Sequence, residues 1–174
     1  MVCVLSVPAF AADLTFFGGF QHSGNISIQS FESSTGSFIT NFNPRSFGVF
    51  GVKLDHGKII GGSHTLSYSP SFIYSGTKAL NYSSDLIVQA PLPIVKPYAS
   101  AGLGVIYSGS GLASFGTKFA VNYGGGVKVK ISGPLSGRLD VRGYMLPGVT
   151  YQNFSIKGES LNFFEVTTGI VLAF

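Results

Sequence analysis

Read two residues at a time, the chain resolves into segments in which apolar and polar positions alternate. Over 13–23, Leu14, Phe16, Gly18 and Phe20 share one face, and Thr15, Phe17, Gly19 and Gln21 share the other. Over 46–55, Phe50, Val52 and Leu54 oppose Gly51, Lys53 and Asp55. The same period recurs over 62–73 (Leu66, Tyr68 and Phe72 against Thr65, Ser67 and Ser69) and over 80–90 (Leu86, Val88 and Ala90 against Asp85, Ile87 and Gln89). Over 97–108, Ala101, Leu103, Val105 and Tyr107 oppose Ser100, Gly102, Gly104 and Ile106. Over 118–131, Phe119, Val121, Tyr123, Val127, Val129 and Ile131 oppose Asn122, Gly124, Gly126, Lys128 and Lys130. Over 137–146, Leu139, Val141 and Met145 oppose Arg138, Asp140, Arg142 and Tyr144. The last segment, 161–174, sets Thr168, Ile170, Leu172 and Phe174 against Thr167, Gly169, Val171 and Ala173. A period of two marks β-strands, so the pattern predicts eight of them.

The stretches between the segments differ in length. Those after strands two, four and six are tight and hold His56-Gly57-Lys58, Pro91-Leu92-Pro93 and Gly133-Pro134. Those near 24–44, 74–79, 109–117 and 147–160 are longer and rich in Ser, Gly and Asn. An even number of strands with short turns at one end and long loops at the other predicts an all-β fold, an eight-stranded antiparallel up-and-down transmembrane β-barrel. Closure removes both sheet edges, and in lipid it is the only way for strands to satisfy their backbone groups.

The parity of the charges decides which face is which. Lys53, Asp85, Lys128, Lys130, Arg138, Asp140, Arg142 and Glu165 all fall on the polar face of their own strands. A soluble lipocalin-like carrier needs the reverse, apolar inside and polar outside. A Lys or Arg facing lipid costs roughly 2–4 kcal/mol at mid-membrane, so the charges belong in the lumen. Composition agrees. Only 10% of the 174 residues are charged, against roughly 25% in ordinary soluble domains. Yet no apolar run approaches the ~18 residues of a membrane helix. Tyr82, Tyr98, Tyr107, Tyr123, Phe164 and Phe174 fall mostly near strand ends, as expected of interfacial aromatic girdles.

Residues 1–11 read differently. Their apolar run ends in Ala9-Phe10-Ala11, the small-residue pattern of a secretory cleavage site, and Cys3 is the sole cysteine. The expected organisation is a partial signal peptide over 1–11 and a barrel over 12–174. The net charge of +4 comes from scattered residues without a basic run, which excludes nucleic acid as a partner.

The stretch Lys96-Pro97-Tyr98-Ala99-Ser100-Ala101-Gly102-Leu103-Gly104 resembles the fifth strand of small outer-membrane barrels. Phe119 to Lys128 and Arg138 to Tyr144 resemble their sixth and seventh strands. Thr167, Gly169, Leu172 and Phe174 match the closing-strand signal of such barrels: polar, any, Gly, two of any, hydrophobic, any, terminal aromatic. The chain thus resembles the small bacterial outer-membrane β-barrel domain family, porin-like and of OmpA/OmpX-type architecture. The resemblance implies an address in the outer membrane of a diderm bacterium. It implies two partners, the outer-membrane lipids and the barrel-assembly machinery that reads the C-terminal strand. It also implies termini on the periplasmic side. Such barrels include adhesins and other surface proteins.

The candidate lumen site is a charge cluster of Lys128, Lys130, Arg138, Asp140, Arg142 and Glu165 on strands six to eight, with Asp140 and Glu165 placed to bridge Arg142 or Lys128. Buried charges need partners, so a salt-bridged plug is expected, because an eight-stranded interior holds side chains or one small ligand. The alternative for the same cluster is a narrow pore for ions or small solutes. A lipid-modifying enzyme would need a His, a Ser and an acid in mutual reach. His64 with Ser67 or Ser69 and Asp85 is the one assembly worth naming. No catalytic residue, metal site or cofactor is expected. The triple glycine Gly124-Gly125-Gly126 has no following helix and no closing Lys-Ser/Thr pair, so it reads as a place where the wall bends rather than a phosphate loop. The expected role is non-enzymatic, structural and surface-contacting. Phe31, Glu32, Phe38, Ile39 and Phe42 of the first loop are the candidate contact with an unidentified external ligand.

Overall fold

A computed structural model describes residues 12–23, 46–72, 77–109, 116–147 and 161–174. The strands are β1 (Ala12–Ser23), β2 (Ser46–His56), β3 (Ile60–Ser69), β4 (Lys78–Gln89), β5 (Val95–Gly109), β6 (Gly116–Ser132), β7 (Leu135–Leu146) and β8 (Leu161–Ala173). Each pairs antiparallel with the next, and β1 pairs with β8, so the sheet closes into a barrel. Closure is completed at the end of the chain, where the Phe174 amide donates to the Ala12 carbonyl at 2.9 Å. There are no helices among the described residues.

The alternation becomes the wall. Phe16, Phe50, Leu66, Leu86, Leu103, Val121, Leu139 and Ile170 point outward and are exposed. Thr15, Lys53, Thr65, Asp85, Ser100, Asn122, Asp140 and Thr167 point inward and are buried. The barrel therefore has its apolar side outside and its polar core inside. That arrangement is stable only where the surrounding solvent is hydrocarbon. The closing strand obeys the same rule: Thr167 and Gly169 line the inside, and Leu172 and Phe174 lie on the outer wall.

Turns at 57–59, 90–94 and 133–134 join strands at one end, the turn end. Their backbones are tied to neighbouring strands: the Gln89 amide donates to Ile59 at 2.8 Å and the Lys130 amide to Ile94 at 2.8 Å. The connections at the other end, the loop end, run over 24–45, 70–77, 110–115 and 147–160. Residues 1–11 and the first-loop candidates Phe31, Glu32, Phe38, Ile39 and Phe42 lie outside the described residues.

Two aromatic residues depart from the sequence expectation. Strand β3 stops at Ser69, before Pro70, rather than running to 73, so strict alternation ends there. Phe72 then turns into the barrel, with its amide bonded to the Thr77 carbonyl at 2.7 Å. Tyr98 belongs to no girdle. It shares the inward parity of Ser100 and Ile106 and is buried in the lumen.

Candidate functional site: the lumen

The lumen is built in three layers. At the turn end, Lys128 of β6 reaches Asp13 of β1 at 2.7 Å and Asp55 of β2 at 2.8 Å. Arg138 of β7 pairs with the same Asp55 carboxylate and, through Nε, with Asp140 Oδ2 at 2.6 Å. Arg138 Nε also donates to the Tyr98 hydroxyl at 2.8 Å, and its guanidinium lies 4.5 Å from the centre of the Tyr98 ring. Lys53 of β2 completes the group, 3.1 Å from Asp140 and over the Phe17 ring. Planar guanidinium and flat phenol stack well in a narrow lumen, where Arg surpasses Lys because its five donors serve several acceptors at once.

In the middle layer, Arg142 of β7 spans the barrel to Asp85 of β4 at 2.5 Å. Its remaining donors meet Asn122 and Ser100, each at 3.4 Å. Glu165 of β8 forms no ion pair among the described residues. It accepts from Gln21 Nε2 at 2.9 Å, and Ser69 donates to Gln21 Oε1 at 2.8 Å.

At the loop end the charges give way to an apolar layer of Phe72, Ala79, Ile106, Ala120, Tyr144, Leu146 and Phe163. Tyr144 stacks on Phe163 with ring centres 4.7 Å apart, and Phe72 meets Phe163 edge to face at 5.2 Å. The Tyr144 hydroxyl faces back toward the polar layer and accepts from Asn81 at 3.3 Å. Burying a hydroxyl without such a partner is costly, so Asn81 completes the layer.

The sequence cluster is therefore corrected in four ways. Lys130 is not part of it. It has inward parity, but it sits at the turn end beside the β6–β7 bulge and is exposed. The other five members are buried, but they do not pair among themselves as expected, apart from the neighbours Arg138 and Asp140. Asp140 and Glu165 bridge neither Arg142 nor Lys128. Arg142 stands directly opposite Glu165 in the β7–β8 register, yet its long side chain crosses the lumen to Asp85, while Glu165 takes Gln21, its register partner on β1. The missing counter-charges are Asp13, Lys53, Asp55 and Asp85, all from the first half of the chain. Their inward parity was the available signal. What parity lacks is the identity of the strand across the barrel.

The assembly of His64 with Ser67 or Ser69 and Asp85 does not form. Ser67, Ser69 and Asp85 face the lumen, and Asp85 is taken by Arg142. His64 has the opposite parity and stands on the outer wall, stacked on His56 at 5.6 Å and hydrogen-bonded to the Tyr82 hydroxyl at 3.3 Å. No group of three or more metal-ligating side chains occurs among the described residues.

The triple glycine has a packing explanation. A Cβ at Gly126 would lie 2.0 Å from the Leu139 carbonyl oxygen and 2.5 Å from the Tyr98 hydroxyl. Glycine there is what allows Tyr98 to lie flat against the wall beneath Arg138.

The chain belongs to the outer membrane protein beta-barrel domain family, whose model matches residues 1–163. No curated protein matches it. Among solved structures, it is similar to Neisserial surface protein A, with 11% identity over 92% of this chain and 97% of that one, at a TM-score of 0.65. It is also similar to the N-terminal β-barrel domain of Pseudomonas aeruginosa OprF, with 12% identity over 94% and 97% of the two chains and a TM-score of 0.57. A third is Ail, the attachment invasion locus protein of Yersinia pestis, in complex with the heparin analogue sucrose octasulfate. It has 12% identity over 94% and 99% of the two chains and a TM-score of 0.52. At these identities the likeness is one of fold.

Proposed function

We propose that this member of the outer-membrane barrel family is a non-enzymatic structural and surface-contact protein, working through the connections at its loop end. The observation that carries the reading is the filled lumen. Ion pairs cross it from β6 and β7 to β1, β2 and β4, and an apolar layer lies between them and the loops. A lumen occupied in this way favours a plug over a transport path. It leaves the loop end as the surface available for recognition, and the first loop, with Phe31, Glu32, Phe38, Ile39 and Phe42, is its longest connection in sequence.

The test is accessibility on living cells. An epitope inserted between Ser34 and Thr35 should be labelled by antibody on intact bacteria. Labelling only after the outer membrane is permeabilised would overturn the reading. A sulfated glycan belongs among the first soluble probes, because Ail shares this fold and is seen with a heparin analogue. Loss of probe binding when 24–44 is shortened would place recognition in the first loop.

A further inference from the structure

The outer wall carries a contiguous polar wedge on the adjacent strands β2, β3 and β4. There His56, His64, Tyr82 and Ser84 interrupt a surface otherwise made of residues such as Leu54 and Leu66. The register makes them neighbours: His56 pairs with Gly62, His64 with Ser84, and Leu66 with Tyr82, so the rings climb diagonally from the turn end. The wedge is built. His56 lies across Gly62, where an added Cβ would come within 2.3 Å of the imidazole, and stacks on His64 at 5.6 Å with the rings 16° apart. His64 in turn stacks on Tyr82 at 6.4 Å. Exposed Lys58 occupies the turn at its foot.

Charge is sorted across the wall. Every described acidic side chain, Asp13, Asp55, Asp85, Asp140 and Glu165, belongs to the lumen face, and none stands on the outer wall beside the wedge. A lipid-facing polar patch is costly unless something polar meets it. Imidazole, phenol and hydroxyl donors with a lysine at their foot, and no carboxylate among them, suit an anion at the level of the headgroups.

We propose that this wedge is a binding site for one anionic phospholipid of the leaflet around the turns. The phosphate is held by His56, His64 and Lys58, and the acyl chains lie along Leu54 and Leu66. Binding here requires neither the loops nor the lumen, so it stands apart from the surface-contact role.

The experiment is native mass spectrometry of the barrel released from nanodiscs of equal phosphatidylglycerol and phosphatidylcholine. The wild type should retain one phosphatidylglycerol with about tenfold preference, the scale of one or two charge-assisted hydrogen bonds. His56→Phe with His64→Phe keeps the stacking and removes the donors, and Lys58→Gln removes the charge. The triple variant should lose the preference while still shifting in mobility on heating, which shows that it folds. Lys96→Gln with Lys130→Gln, at the same end but across the barrel, should keep it. Equal retention by the triple variant would overturn the site. So would equal loss in the Lys96/Lys130 control, which would mean diffuse attraction, or a dimer that buries the wedge without lipid.

Discussion

Arg142 and Asp85 sit on β7 and β4, on different sides of the barrel, and meet at 2.5 Å in its centre. The pair works as a strut between walls that share no backbone hydrogen bonds. Both groups are buried, so the desolvation of each is offset mainly by the other, with the Asn122 and Ser100 contacts of Arg142 and the Ser83 hydroxyl beside Asp85 adding to it. Removing Arg142 leaves Asp85 uncompensated. Arg142→Met should destabilise the barrel by about 3–5 kcal/mol. The double replacement Arg142→Met with Asp85→Leu should recover most of that. Urea titration in detergent, scored by the heat-shifted band, measures both, and the strut is refuted if the double variant is no better than the single one.

The interlocked lumen predicts electrical silence. In planar bilayers the refolded wild type should give no steady single-channel steps. Conductance that changes with Asp140→Asn or Arg142→Gln would establish the narrow pore instead.

Phe163 and Phe164 are adjacent in sequence and opposite in fate: the first is 4% exposed within the apolar layer, the second 46% exposed on the outer wall. Phe163→Ala removes a ring packed on both Phe72 and Tyr144, and a loss of about 3–5 kcal/mol is expected for such a cavity. Phe164→Ala should cost clearly less, since lipid fills the space. Paired unfolding titrations of the two variants decide it, and equal losses would contradict the layer.

Gly126→Val tests the fit around Tyr98. The new side chain must displace both the Leu139 backbone and the Tyr98 hydroxyl. The expected outcome is a less stable barrel, partly rescued by Tyr98→Ala, which clears the space at the cost of the Arg138 contact. Absence of any rescue would place the strain in the backbone alone.

Phe174 lies on the outer wall, and its amide bonds to Ala12 through the backbone, which any residue can do. Phe174→Ala should therefore leave the refolded barrel nearly as stable as before. If the closing strand is read by the assembly machinery, the same change should lower the amount of folded barrel in cells several-fold. Quantitative blots of unboiled membranes compare the two, and equal effects in vitro and in cells would remove the assembly role.

What the sequence alone determined was the wall. Alternation is a local property, with neighbouring Cβ atoms on opposite faces, so Leu139 against Asp140 or Ile170 against Val171 was legible residue by residue. Even strand number and unequal connections then left closure as the one way to pair every edge. The lumen chemistry was only half legible. Parity placed Lys128, Arg138, Asp140, Arg142 and Glu165 inside but did not pair them, because their partners Asp13, Lys53, Asp55 and Asp85 come from strands far away in the chain. Register, and side-chain reach across the barrel, set those pairings. The same limit separates Lys130 from Lys128: both have inward parity, but the bulge and the turn leave one at the mouth and the other in the core. It also explains Phe72, Tyr98 and Gly126, whose places follow from what lies opposite them. Periodicity chooses a face; only the closed tertiary structure chooses a neighbour.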